Sequence, residues 1–297
     1  MADSAEALKP AAVPKTAASA DRAPKGGTRL DLSTFAGIVV ALGGIIGGLI
    51  LEKGSIQDVA QTTAAMIVMG GTFGAVLVTT PLPVFLRALK ALGSVFFERA
   101  SSTGEMIETL IQFATKARKN GIVSLETEAA KIPDPFLRKS LGLAVDGTDM
   151  QELRKMMEVE IGLGEHLADS DAKVWEAAGG YAPTIGIIGA VMGLIQVMKH
   201  LEDIKEVGHG IAVAFVATVY GVGSANLFFL PAASKMRIRA RQLSLMKEMI
   251  VEGVVGIVEG LNPTLIRMKL EAFDASPKPK PGAKGAGKPE AVKKGAP

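Results

Sequence analysis

The stretch GGYAPTIGIIGAVMGLI, from Gly179 to Ile195, carries five glycines, one proline and no charge. Glycine and proline are the weakest helix formers in water. Yet an apolar run of this length reads as a membrane span, and lipid obliges a span to close its own backbone hydrogen bonds as a helix. Wound as a helix, Gly179, Pro183, Gly186, Ala190 and Gly193 form a stripe of small residues, and Ile185, Ile188, Met192 and Ile195 a stripe of bulky ones. A later apolar block repeats the device with Gly210, Ala214, Ala217, Thr218, Gly221 and Ala225. Small stripes let two helix backbones approach closely in lipid. They predict either the packing of one span on the other or the lining of a narrow central space.

The whole chain agrees with a membrane assignment. Its 297 residues have a mean hydropathy of +0.31 although 21% are charged, so the apolar residues are gathered into blocks. Aromatics are only 5%, which argues against a large soluble core, and the absence of cysteine excludes disulfides and thiolate chemistry. A net charge of +3 is too small to argue for nucleic acid.

Four uncharged blocks emerge: Phe35 to Leu51, about Val59 to Thr80, about Ala177 to Met198, and about Gly210 to Leu230. The resulting division is a disordered tail over 1–30, two spans over 31–84, a helical domain over 85–176, two spans over 177–231, C-terminal helices over 232–273 and a disordered basic tail over 274–297. The fold class is all-α, a four-span membrane protein with a large helical cytoplasmic domain. In that domain Met106, Ile107, Leu110, Ile111, Ala114 and Ala117 keep helical spacing, and KIPDPF (Lys131 to Phe136) marks a turn. Trp175, just before the third block, stands where an interfacial anchor belongs. Basic residues flank the first span (Arg22, Lys25, Arg29), follow the second (Arg87, Lys90, Arg99) and follow the fourth (Arg237, Arg239, Arg241). The positive-inside rule then puts both termini and the long middle loop in the cytoplasm.

None of the four blocks contains Asp, Glu, Lys or Arg. Proteins that move ions through a membrane place an ionisable group in a span. Either this chain moves no ions or a partner supplies the charge. The motifs G-x-x-x-x-G-K-[ST], G-x-S-x-G and H-E-x-x-H are absent, so nothing in the sequence suggests an enzyme or a cofactor. His166, His200 and His209 sit at loop-like positions, more in keeping with surface than with metal.

The third and fourth blocks, with EGVVGIVEGLNPTLIRMKLEAF (Glu252 to Phe273) and ARKNGIVSLE (Ala117 to Glu126), resemble the MotA/PomA family of flagellar motor stator proteins over roughly 32–273. The resemblance implies a homo-pentamer in the bacterial inner membrane around a MotB-like, single-span, peptidoglycan-binding partner. That partner carries the membrane aspartate, which fits the missing carboxylate. It also implies torque on a FliG-like rotor, with Arg118 and Glu126 as rotor contacts, Pro183 and Pro231 as coupling prolines, and Thr218 beside the ion path. Plain readings stand beside these. Arg118 and Glu126 also suit a solvated face, the prolines suit a helix start and stop, and Thr218 suits a bond to the carbonyl one turn back. Sodium-using members resemble one another in carrying threonine at the position that faces Thr218. Here that position is read as Ala190, which implies H+ as the transported ion. An ExbB/TolQ-like energiser of envelope transport, on the same ring architecture, is the alternative, and a four-span scaffold without ion flow a third.

Overall fold

The computed structural model describes residues 28–99 and 103–274. The expected tails fall largely outside the described residues. The N-terminal one ends sooner than expected, because Thr28–Leu30 (β1) pairs antiparallel with Phe97–Arg99 (β2), Leu30 opposite Phe97. This ribbon is the only departure from helix-and-turn architecture among the described residues.

Helix α1 (Leu32–Leu51) buries none of its residues. A hairpin with the short α2 (Ile56–Val59) leads into α3 (Thr62–Thr79), whose buried stripe is Ala64, Val68, Thr72 and Val76. Pro81 turns the chain into α4 (Leu82–Ala91), an amphipathic helix, and α5 (Gly93–Phe96) leads to β2. Then come α6 (Thr103–Asn120), α7 (Glu126–Ala129) and α8 (Pro135–Val145), the last capped by the Asp134 carboxylate. Two long rods follow. Helix α9 runs unbroken for 50 residues, Met150–Lys199, and α10 (Ile204–Ser224) passes through one wide π-helical turn, Ala225–Phe229, into α11 (Leu230–Val258). Helix α12 (Pro263–Leu270) closes the chain.

The helices run continuously across the expected boundaries at 176/177 and 231/232. Pro183 lies inside α9 and Pro231 in the first turn of α11, so neither starts nor stops a rod. A proline lacks the N–H that would bond the carbonyl four residues back, and its ring presses on that carbonyl. The wide turn before Pro231, in which the Leu230 N–H reaches the Ala225 carbonyl, absorbs that strain. His166 and His209 are also helical, not in loops, and His200 caps α9.

Three clusters hold the molecule together. The helical head joins Leu110 of α6, Leu125, Leu141 of α8, Leu153 and Met157 of α9, Val254 of α11 and Leu270 of α12. Its periphery is tied by Arg154–Glu252 at 2.7 Å and by Arg267 on both oxygens of Glu108. A second cluster forms the joint between head and spans, and a third lies among α3 and α10. Trp175 corrects its expected place: it is 3% exposed, at the centre of the joint.

Candidate functional site

The two small stripes face each other. A Cβ on Gly221 would stand 2.5 Å from the Ala182 carbonyl oxygen, and one on Gly186 would stand 2.9 Å from the Ala217 oxygen. Gly193 and Gly210 make a second reciprocal pair, each Cβ position lying 3.0 Å or less from the other's carbonyl oxygen. The obstacles are backbone atoms, which cannot turn aside. The stripes are therefore spent on packing α9 against α10 within one chain. The bulky residues are left uncovered: Ile188, Met192 and Ile195 on α9, with Phe215 and Val219 on α10.

Thr218 lies on this seam, half-buried, and its hydroxyl donates to the Ala214 carbonyl at 3.3 Å. On α9 it meets Gly186: the Cβ position of Gly186 is 3.5 Å from the Thr218 Cα. Ala190 lies one turn further along α9, with Gly189 beside it packed on Ala217. Neither Gly186 nor Ala190 offers a side-chain oxygen. Thr72 of α3 carries the one buried side-chain polar atom without a hydrogen-bond partner among the described residues.

Pro183 and Pro231 flank the joint. Here Trp175 stacks on Phe229 at 6.0 Å and meets Phe228 edge-on at 6.3 Å, while Phe73 of α3 touches both Phe229 and Phe85 of α4. The Trp175 indole N–H donates to the Ala88 carbonyl at 3.1 Å, and Arg87 binds the buried Asp171 at 2.7 Å. Helix α4 is thereby fixed across α9. Leu230 fills the space over Gly179.

On the other side of the joint, basic residues that read as orientation signals act as fasteners. Asp31, 8% exposed, caps α1 and takes Lys235 at 2.6 Å and Arg239 as partners. The Lys235 and Ser33 hydrogen bonds hold its carboxyl below the usual carboxylate range. Arg237 clasps Asp169 and Glu176. Asp169 is likewise held low, by Lys173 first and Arg237 second.

Arg118 and Glu126 stand apart from all this, in the head. Both are exposed, on either side of the Gly121 turn, whose φ of +82° suits glycine. Neighbouring Lys116 pairs with Glu128, whereas Arg118 and Glu126 make no ion pair among the described residues. The sequence reading missed Asp31, Asp171 and the aromatic joint. The signal that was available lay in the Phe228–Phe229 pair beside Pro231 and in two acids, Asp169 and Asp171, just before an apolar block.

These features define a class: a multi-pass membrane protein in which two rods run unbroken from a close-packed span pair into a charged helical head. The sequence pattern of the MotA/TolQ/ExbB proton channel family matches residues 128–249, and that of the Motility protein A N-terminal region matches 35–121. Motility protein A of Helicobacter pylori is 34% identical over 84% of this chain and 98% of its own length. Chemotaxis protein PomA of Vibrio alginolyticus is 32% identical over 82% and 95% respectively. The solved structure of C. jejuni MotAB superposes with a TM-score of 0.81 at 33% identity, covering 84% of this chain and 98% of the other. The chain belongs to the MotA/TolQ/ExbB proton channel family, in its motility-protein branch.

Proposed function

We propose that this chain is the channel-forming subunit of a flagellar stator. Several copies, five by the family resemblance, surround the single-span helices of a peptidoglycan-anchored, MotB-like partner in the bacterial inner membrane. Protons passing to the partner's carboxylate drive the ring to turn, and Arg118 and Glu126 press on a FliG-like rotor. The chain is not an enzyme and uses no cofactor; it transmits force.

The observation that supports this reading best is a pairing of absence and continuity. The spans hold no Asp, Glu, Lys or Arg, which supports a partner chain as the source of the charge that binds the ion. The third and fourth spans continue without a break into the head. A site on a partner therefore couples mechanically to the head through rods. The seam supports proton use, since a desolvated sodium ion needs several oxygen ligands. Thr218 gives one hydroxyl, while Gly186 and Ala190 give none. Rotation or swimming measured over a range of external sodium, at fixed proton-motive force and with a protonophore control, tests it. Rotation independent of sodium and abolished by the protonophore is expected. Rotation that needs sodium and survives the protonophore rejects proton use.

A further inference from the structure

Four large apolar residues stand exposed along the head part of α9. Met156, Val159, Leu163 and Leu167 recur at steps of three and four, so they line one face of the helix, and Val159 and Leu163 are 57% and 61% exposed. Exposed Lys155, Glu158 and Glu165 flank them, which puts this face on the water side of the joint and not among acyl chains. Apolar residues scattered singly over a surface need no explanation, but a seam of four along a solvated helix marks a contact. A second, smaller patch lies on α11, where Ile238 and Leu245 share a face and are 56% and 46% exposed.

The two patches look in different directions at the same height. In the head α9 holds α11 through Arg154, bonded to Glu252 at 2.7 Å, through Gly164, whose Cβ position is 3.7 Å from the Lys247 ammonium, and through Asp169, bonded to Arg237 at 3.1 Å. With about 100° between successive residues, the seam falls on the opposite side of α9 from these three, and the Ile238–Leu245 patch about a quarter-turn from their partners on α11. The same contacts fix the heights. Gly164 is level with Lys247 and Asp169 with Arg237, so Leu163 and Leu167 stand level with Leu245 and Ile238. Copies of a membrane protein share one orientation and one depth. In a closed ring about the membrane normal each contact is therefore heterologous, joining two different patches that lie at the same height. The α9 seam and the α11 patch meet both conditions. Given the ring of copies proposed above, we infer that Leu163 and Leu167 of one copy pack against Ile238 and Leu245 of the next, so that the ring is closed through the heads as well as through the spans.

The chain has no cysteine, so introduced cysteines report without background. Full-length chains carrying Leu163→Cys under one tag and Leu245→Cys under another are produced together in the native membrane and oxidised. A disulfide-linked product bearing both tags is expected. It should be lost when Leu243→Cys, a similarly exposed position on the other side of α11, replaces Leu245→Cys. Adding Leu167→Asp to the Leu163→Cys chain should lower it about tenfold, because the contact would bury an unpaired carboxylate, while folding tolerates a change at so exposed a position. Native mass spectrometry of the same preparations counts the copies. An intact ring without the two-tag product, or with equal product from Leu243→Cys, overturns the inference and leaves the ring standing. Product from Leu163→Cys chains alone shows seam against seam and also overturns it. A chain found only as a monomer overturns the inference and the ring together.

Discussion

The Lys235 ammonium lies 2.6 Å from the Asp31 carboxylate, and with Arg239 it joins the first turn of α1 to α11. Because α1 buries nothing along its length, this clamp, the ribbon and the Phe35–Phe96 contact at 5.9 Å are its moorings within the chain. Loss of the charge in Asp31→Asn should release α1. Cysteine pairs placed across α1 and α5 should then crosslink more slowly than in the parent, with α9–α10 pairs unchanged. Acid should act alike. The folded carboxyl titrates below its ordinary value of 3.8, so the clamp's contribution is complete above about pH 5 and fades as pH falls below that value towards the folded one. Midpoints of thermal unfolding compared between pH 7 and pH 3 should drop more in the parent than in Asp31→Asn.

The glycine seam predicts a sharp contrast. Gly221→Ala must push α9 and α10 apart and should cost about 1–3 kcal/mol, the usual range for overpacking a close contact. Gly74→Ala meets nothing within 4 Å and should be neutral or stabilising by up to about 1 kcal/mol, the helix-propensity gain of alanine. Thermal unfolding of the two purified variants checks this. Equal behaviour would mean the seam is looser than the contacts imply.

Thr72→Val keeps the shape and removes a hydroxyl that has no partner. The variant should be at least as stable as the parent, by up to about 1–3 kcal/mol if the full desolvation cost is relieved. A loss of stability would show that the hydroxyl finds a bond in the assembled protein.

Arg118→Glu should leave membrane levels and assembly intact, because an exposed charge without a partner contributes within about 0.5 kcal/mol to folding. Swimming should fall and should recover with a charge reversal on the rotor. Normal swimming in both Arg118→Glu and Glu126→Lys would exclude them as rotor contacts.

Pro183→Ala returns an N–H able to bond the Gly179 carbonyl, and alanine is the better helix former by about 3 kcal/mol in a helix interior. Assembly should persist while torque drops, read as rotation speed of tethered cells at constant drive. Protein missing from the membrane would make the proline purely structural.

How far the sequence revealed this molecule depended on whether one segment sufficed to decide. The spans were legible because a run such as Phe35 to Leu51 needs no neighbour to be recognised as apolar and long. The stripes were legible as faces, but their use was not. Periodicity shows that Gly186 and Gly221 lie on smooth surfaces, and only the register of two helices shows that these surfaces consume each other. Trp175 was misplaced for the same reason: an indole beside an apolar block suits a membrane interface equally well until Ala88 is found against its N–H. The prolines looked like punctuation since a wide turn before Pro231, which lets the helix pass, leaves no mark in composition. Asp31, 208 positions from Arg239, had no local sign of pairing at all.

One more consequence attaches to Trp175. It is the chain's single tryptophan, and it sits among Phe228, Phe229 and the Ala88 carbonyl, where α4, α9 and the wide turn meet. Its fluorescence comes from the joint alone, with no label to introduce and no background from the head. Any rearrangement that opens this joint to water must redden the emission and expose it to soluble quenchers, so the unmodified protein carries its own optical gauge of the place where spans and head connect.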